Sequence, residues 1–221
     1  MKLQKTAVLA IDLQNEYRPG AAWAVIGYDG ILSRTAALMA AARAAGVPVI
    51  HAQASVAPEQ RDAYRLQEEM LAEEHRSAVA GSQGAAICDE VAPRPGDIVH
   101  VKTWASAFRH TDLKERLLAM GIENLIVTGV LTDSCVTATT FDAVYEGFHV
   151  WLVKDCCGSM TDLMHRSGFL DMVNRLYGGG VLRQAEALKA LAGQPYDVWR
   201  CTRPIEFPFT AQTIDAIYDA L

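Results

Sequence analysis

Thr6-Ala7-Val8-Leu9-Ala10-Ile11-Asp12 is the stretch that decides the fold. From Thr6 to Ile11 nothing is charged, and the run stops abruptly on a carboxylate. A strand with one wet face alternates apolar and polar residues, whereas a strand apolar on both faces belongs in a parallel sheet covered on each side. Short runs of the same kind recur at Val47 to His51, Asp97 to Val101, Leu125 to Gly129, Val150 to Val153 and Gly180 to Leu182.

Helical patterns fill the intervals. Ile31, Leu32, Ala36, Leu38, Met39 and Ala42 form one stripe, which Gly46 and Pro48 stop. Leu113, Leu117 and Leu118 form the next, followed by Cys135 to Tyr145, Leu163 to Leu176 and Ala185 to Leu191. Strands alternating with helices make βαβ units with right-handed crossovers. The expectation is one α/β domain over residues 1–192, with a doubly wound, mostly parallel six-stranded sheet and helices on both faces.

Two segments depart from that rhythm. Ala57 to Gly84 is polar, with Arg61, Arg65, Glu68, Glu69, Glu73, Glu74 and Arg76, and reads as a solvated helix inserted between the second and third strands. A substrate lid or a subunit contact is the other reading. Residues 193–221 carry Pro195, Trp199, Pro204, Phe207, Pro208 and Phe209 in irregular chain before a helix from Ala211. Apolar residues in such an extension pack on the domain or on a neighbouring subunit.

The composition narrows the function classes. The 221 residues are 51% hydrophobic and 21% charged, with net charge −6. Without a Lys/Arg run, a nucleic-acid partner is not expected. The first apolar stretch, interrupted by Asp12, is too short for a signal core or a membrane span, so the expectation is a cytoplasmic protein with no membrane partner. Five cysteines, Cys88, Cys135, Cys156, Cys157 and Cys201, contain no C-x-x-C pair, which argues against a disulfide framework or a structural zinc. No G-x-G-x-x-G follows the first strand, so a dinucleotide cofactor is not expected.

In open α/β sheets ligands bind beyond the carboxyl ends of the strands. Three reactive side chains fall there. Asp12 ends the first strand, where a carboxylate needs a partner or caps the following turn. Lys102 ends the third strand and either pairs with a carboxylate or is exposed. Cys135 follows the fourth strand in Thr128-Gly129-Val130-Leu131-Thr132-Asp133-Ser134-Cys135-Val136. With Thr132 or Asp133 as N-cap, Cys135 would open a helix, where the dipole favours thiolate and free N–H groups can hold an oxyanion. The plain alternative is a small buried residue, and that alternative is preferred for the other four cysteines.

The stretches Ala10-Ile11-Asp12-Leu13-Gln14-Asn15, Lys102-Thr103-Trp104-Ala105-Ser106-Ala107-Phe108 and Gly129 to Val136, with Thr139 and Asp142-Ala143, resemble the isochorismatase-like hydrolases. That superfamily includes nicotinamidases, N-carbamoylsarcosine amidohydrolases, biuret hydrolases and ureidoacrylate hydrolases. The resemblance implies a catalytic triad of Asp12, Lys102 and Cys135. It also implies a cis peptide between Val130 and Leu131 that aims the Leu131 and Cys135 N–H groups at an oxyanion. Isochorismatases proper lack the cysteine, so its presence points to amide hydrolysis. The Asp-x-His pair by which nicotinamidases bind metal is missing. The corresponding region reads His51-Ala52-Gln53, and no catalytic metal or other cofactor is expected.

The expected substrate is therefore a small amide, ureido or N-carbamoyl compound. Asn15, Tyr17, Trp23, Trp104 and Phe108 flank the motifs and either line a small pocket or pack in the core. Arg18, Arg109 or the Arg61/Arg65 pair could meet a substrate carboxylate. Family members are commonly homo-oligomers, dimers or tetramers, and the aromatic extension is compatible with that.

Overall fold

The computed structural model describes residues 2–57, 77–201 and 207–221. The strands are β1 (Thr6–Ile11), β2 (Val49–Ala54), β3 (Ile98–Lys102), β4 (Asn124–Val130), β5 (His149–Gly158), β6 (Gly180–Leu182) and β7 (Trp199–Arg200). The helices are α1 (Tyr28–Ala44), α2 (Leu113–Ala119), α3 (Thr137–Tyr145), α4 (Asp162–Val173), α5 (Gln184–Leu191) and α6 (Ile214–Asp219). The sheet runs β3-β2-β1-β4-β5-β6-β7. Every pair is parallel except β6 with β7.

The apolar run at residues 6–11 is explained by two cores, one on each face. Ala7, Leu9 and Ile11 meet Leu113 and Leu117 of α2, Ala143 of α3 and Phe169 and Met172 of α4. Val8 and Ala10 face the other way, onto Tyr28, Ile31, Leu32, Leu38 and Met39 of α1 and Ala187 and Leu191 of α5. Every residue of β1 and β4 is buried. Burial on both faces removes the period-2 alternation and leaves a continuous hydrophobic word.

The sheet has seven strands where six were expected. Residues 193–221 supply the extra one: Trp199 and Arg200 pair antiparallel with Val181 and Gly180. A stretch of two strand residues carries too little pattern to be read from sequence. The extension also returns α6 to α4, with the Tyr218 and Phe169 rings edge to face at 5.5 Å. The expected helix and charged residues at 58–76 lie outside the described residues. The chain returns from that segment at Val79, which bridges Val56. Among the described residues no helix is long and apolar enough to cross a membrane.

Candidate active site

The strand order reverses direction between β1 and β4, and at such a switch point the crossovers leave on opposite faces and open a crevice above the carboxyl ends. The chain is pinched shut just below it. Gly129 of β4 is in register with Ile11 of β1. A Cβ on Gly129 would stand 2.0 Å from the Ile11 carbonyl oxygen, and φ there is +123°. Only glycine permits this approach. It brings the loop after β4 against Asp12, the residue after β1.

Asp12 is completely buried. Its φ is +51°, a left-handed conformation that an aspartate tolerates better than most residues. Oδ1 accepts the Ala54 N–H at 3.0 Å. Oδ2 meets Lys102 Nζ at 2.8 Å. That contact is an ion pair without hydrogen-bond angles, so Oδ2 takes no conventional hydrogen bond among the described residues. A lone pair on Oδ2 thus stays available for a proton.

Lys102 reaches Asp12 from two strands away, because β2 lies between β3 and β1. Ala54 is its partner in the β2 register. Two strand spacings are about 10 Å, a span that calls for a side chain as long as lysine. Nζ also donates to the Trp104 carbonyl at 3.0 Å. Burial opposes the lysine charge, but the Asp12 carboxylate and the Cys135 sulfur outweigh it and raise its pKa.

Cys135 lies within hydrogen-bond reach of both Asp12 and Lys102. Its surroundings correct one expectation. Cys135 is not in the first turn of an α-helix; it sits in a π-helical turn, Thr132–Val136, and α3 starts two residues later at Thr137. Neither Thr132 nor Asp133 caps it. Burial, then the Asp12 carboxylate, push the thiol up to about 12 despite the opposing pull of Lys102. The effect runs toward the thiol, opposite to the thiolate that a helix N-terminus would favour. The π-bulge is a known device at functional sites because it reorients one turn of backbone.

The Val130–Leu131 peptide is cis. Leu131 O accepts the N–H groups of Ser134 and Val136, each at 3.1 Å. The Leu131 N–H takes no backbone partner among the described residues.

The five aromatic and amide candidates divide. Trp104 is 42% exposed beside Lys102. Tyr17 is buried near the triad: burial first, then Asp12 and Cys135, raise its phenol pKa. Trp23 packs with Tyr17 and Leu131 against the α1-side core. Asn15 turns its amide onto neighbouring chain, donating to Gln83 O at 3.1 Å and accepting from Arg18 Nε at 2.9 Å. Phe108 lies elsewhere. Ser106 and Ala107 are bonded to Asp142 and Thr139 of α3, which turns Phe108 onto Phe148, with rings 5.9 Å apart, in the opposite-face core.

Arg18 is engaged by Glu90, bidentate at 3.1 and 2.6 Å, and so is not a free substrate anchor. Arg109 is exposed, and Arg61 and Arg65 lie outside the described residues. His51 is 2% exposed and bonded to Asp97 at 3.1 Å, a packing role. Cys88, Cys156, Cys157 and Cys201 are all buried.

Two supports escaped the sequence reading. Gln14, fully buried, accepts the Ala54 N–H at 2.9 Å and donates to Ala54 O and Ala85 O. It thereby holds the same strand end that holds Asp12. The signal was a glutamine two residues after the carboxylate in an otherwise apolar context. His165 on α4 bonds Thr132 Oγ1 at 2.7 Å; nothing in its local sequence marks it.

Known proteins resemble this chain. Maleamate amidohydrolase of Pseudomonas putida is 32% identical over 196 residues, covering 86% of this chain and 90% of its own. An Arabidopsis thaliana protein named a probable inactive nicotinamidase is 31% identical over 175 residues, covering 77% and 89%. The solved N-carbamoylsarcosine amidase of Thermoplasma acidophilum superposes with TM-score 0.67 at 27% identity, covering 82% and 98%. A family model described as the isochorismatase domain matches residues 6–186, from the first strand to the start of the helix after β6, and the chain belongs to the isochorismatase family.

Proposed function

We propose that this protein is a cysteine-dependent amidohydrolase that cleaves the C–N bond of a small amide, ureido or N-carbamoyl substrate. The observation that carries the reading is one contact set: a half-buried thiol in reach of a buried carboxylate and a buried ammonium. The names of the amidohydrolase relatives support the bond class.

A thiol held near 12 needs a base at the moment of attack. Asp12 Oδ2 takes the Cys135 proton as sulfur attacks the substrate carbonyl carbon. The oxyanion that forms accepts from the Leu131 and Cys135 N–H groups. Asp12 then passes the proton to the departing nitrogen, the C–N bond breaks, and a thioester remains. Water, giving its proton to Asp12, attacks the thioester; the C–S bond breaks, the acid leaves and the proton returns to sulfur. Lys102 supplies the countercharge to the fully buried Asp12.

Ammonia release from maleamate, ureidoacrylate, N-carbamoylsarcosine, biuret and nicotinamide tests this. Turnover of at least one, lost in Cys135→Ala with the fold intact, is the expected result. A Cys135→Ala protein that keeps most of its activity overturns the scheme. The likeness to a probable inactive nicotinamidase favours one second reading, a catalytically idle binding member. That reading requires silence across the whole panel.

A further inference from the structure

The turn that carries Cys135 is held from behind by α4. Asp133 accepts a hydrogen bond from Ser159 Oγ. Thr132, fully buried, meets His165 Nδ1 at 2.7 Å through its hydroxyl, while its carbonyl accepts the Thr137 hydroxyl at 2.6 Å. The other nitrogen of His165, Nε2, meets the Tyr218 hydroxyl at 2.7 Å. Tyr218 belongs to α6, at the far end of the chain. Four groups thus line up from the C-terminal helix to the nucleophile turn: Tyr218 hydroxyl, His165 ring, Thr132 hydroxyl, Cys135 three residues on.

We propose that Tyr218 is a positioning residue of the hydrolysis, acting through His165 and Thr132 to hold the π-helical turn that presents Cys135 and its N–H donor. The proposal rests on Cys135 being the nucleophile.

Three observations support it. First, Tyr218 is itself fixed to an unusual degree. Its ring is edge to face with His165 at 5.4 Å and with Phe169 at 5.5 Å. Lys154 Nζ stands 4.1 Å from the ring centroid and donates to the Tyr218 carbonyl. Arg166 lies 4.9 Å from the same ring and pairs with Asp215 and Asp219 on either side. A hydroxyl so anchored can orient its partner.

Second, His165 is held neutral. Burial, then the neighbouring Arg166 charge, pull it down to about 4. A neutral imidazole donates through one nitrogen and accepts through the other. The hydroxyls of Tyr218 and Thr132 are therefore oriented head to tail, and removing one releases the other. Such orientation of a ring by its second hydrogen bond is a general device of active sites.

Third, the turn has few other anchors of this kind. A π-turn has weaker internal bonding than an α-helix and relies on external contacts. The hydroxyl of Thr132 is one of two side-chain hydrogen bonds between the turn and the α4 side among the described residues, Asp133 to Ser159 being the other.

The test uses Tyr218→Phe, which keeps the ring and all its stacking but removes the hydroxyl. His165→Asn is the second variant; its amide replaces Nδ1 and keeps the Thr132 bond but cannot reach Tyr218. The readouts are kcat and KM on whichever amide the wild type turns over, the rate of Cys135 alkylation by iodoacetamide read by peptide mass, and Tm. Tyr218→Phe is expected to lower kcat and the alkylation rate together by about tenfold, as loss of one positioning hydrogen bond does, with KM and Tm nearly unchanged. The double variant is expected to lose no more than His165→Asn alone, because both act on one chain of contacts. Wild-type kcat and alkylation in Tyr218→Phe overturn the proposal. So does a loss that tracks a fall in Tm, or losses that multiply in the double variant. Alkylation is independent of turnover, and retained activity in Cys135→Ala, which sinks the nucleophile itself, is recognised separately.

Discussion

Lys102 Nζ stands 2.8 Å from Asp12 Oδ2 across an intervening strand, with the two side chains 1% and 0% exposed. Two charges that dry are tolerable only together. Taking one from water costs several kcal/mol, which the partner offsets, so removing either strands the other. Lys102→Met is expected to destabilise the fold by about 3–5 kcal/mol in urea denaturation. Asp12→Asn combined with Lys102→Met is expected to recover much of that loss while remaining inactive. A Lys102→Met protein that unfolds at the wild-type urea midpoint contradicts the buried pair.

The same pair sets the thiol. The Asp12 carboxylate raises the Cys135 pKa and Lys102 lowers it, on top of the larger effect of burial. Asp12→Asn should therefore shift the alkylation-rate profile to lower pH, and Lys102→Met should shift it to higher pH. In Asp12→Asn the sulfur ionises more readily but the base is gone, so turnover falls while alkylation at a fixed, mildly alkaline pH rises. Wild-type turnover in Asp12→Asn would remove the base role from Asp12, and alkylation that fails to rise would mean that its charge does not hold the thiol up.

Much of this centre was legible in the sequence. A charge that ends an apolar strand is visible where burial on both faces leaves it nowhere neutral to sit; that holds for Asp12, whereas Lys102 ends the edge strand β3, whose Val99 and Val101 are exposed. Cys135 was legible as a thiol just past a strand end. What escaped was non-local. The crossing over β2 depends on the strand order β3-β2-β1. The π-turn depends on Thr132–Val136 being held by α4. His165 and Tyr218 meet across 53 residues of chain, and neither belongs to a periodic pattern. For Phe108 the sequence left pocket and core packing both open, and the contacts of Ser106 and Ala107 with α3 decide for the core.

The back of the sheet carries a pH-dependent contribution. Asp97, 3% exposed, receives a bidentate Arg43 at 3.0 and 2.6 Å, the Arg94 N–H at 2.9 Å and His51 at 3.1 Å. Burial alone would raise its pKa, but these donors win and lower it to about 2. The unfolded carboxyl titrates near its ordinary value of 3.8. Between these two values the unfolded chain binds more protons than the native one, so stability falls as pH drops. The contribution, roughly 2 kcal/mol, is fully present above about pH 4 and lost toward pH 2. In Asp97→Asn the fall in Tm across that window should be shallower than in wild type. An unchanged slope would mean that other carboxyls dominate the acid transition.

The nucleophile turn is held by shape as well as by hydrogen bonds, and Gly168 shows how. A Cβ on this residue of α4 would lie 2.6 Å from the Asp133 Cα and 2.9 Å from its backbone nitrogen. Those atoms are backbone and cannot swing aside as a side-chain tip can. Gly168→Ala must move either α4 or the turn. Alanine is favoured over glycine inside a helix by about 1 kcal/mol, which offsets part of the clash, so the loss of Tm should be modest. The sulfur gets no such compensation. A shift of the turn by a fraction of an ångström changes the distances from Cys135 to Asp12 and to the oxyanion position, and misplacement of about 1 Å can cost as much as a hundredfold in rate. Gly168→Ala is expected to lower kcat by tenfold or more, on the order suggested by that sensitivity, with KM altered far less. If Gly168→Ala retained wild-type kcat while its Tm fell sharply, the clash would be relieved by movement of α4, and the close packing of that helix would serve the fold and not the nucleophile.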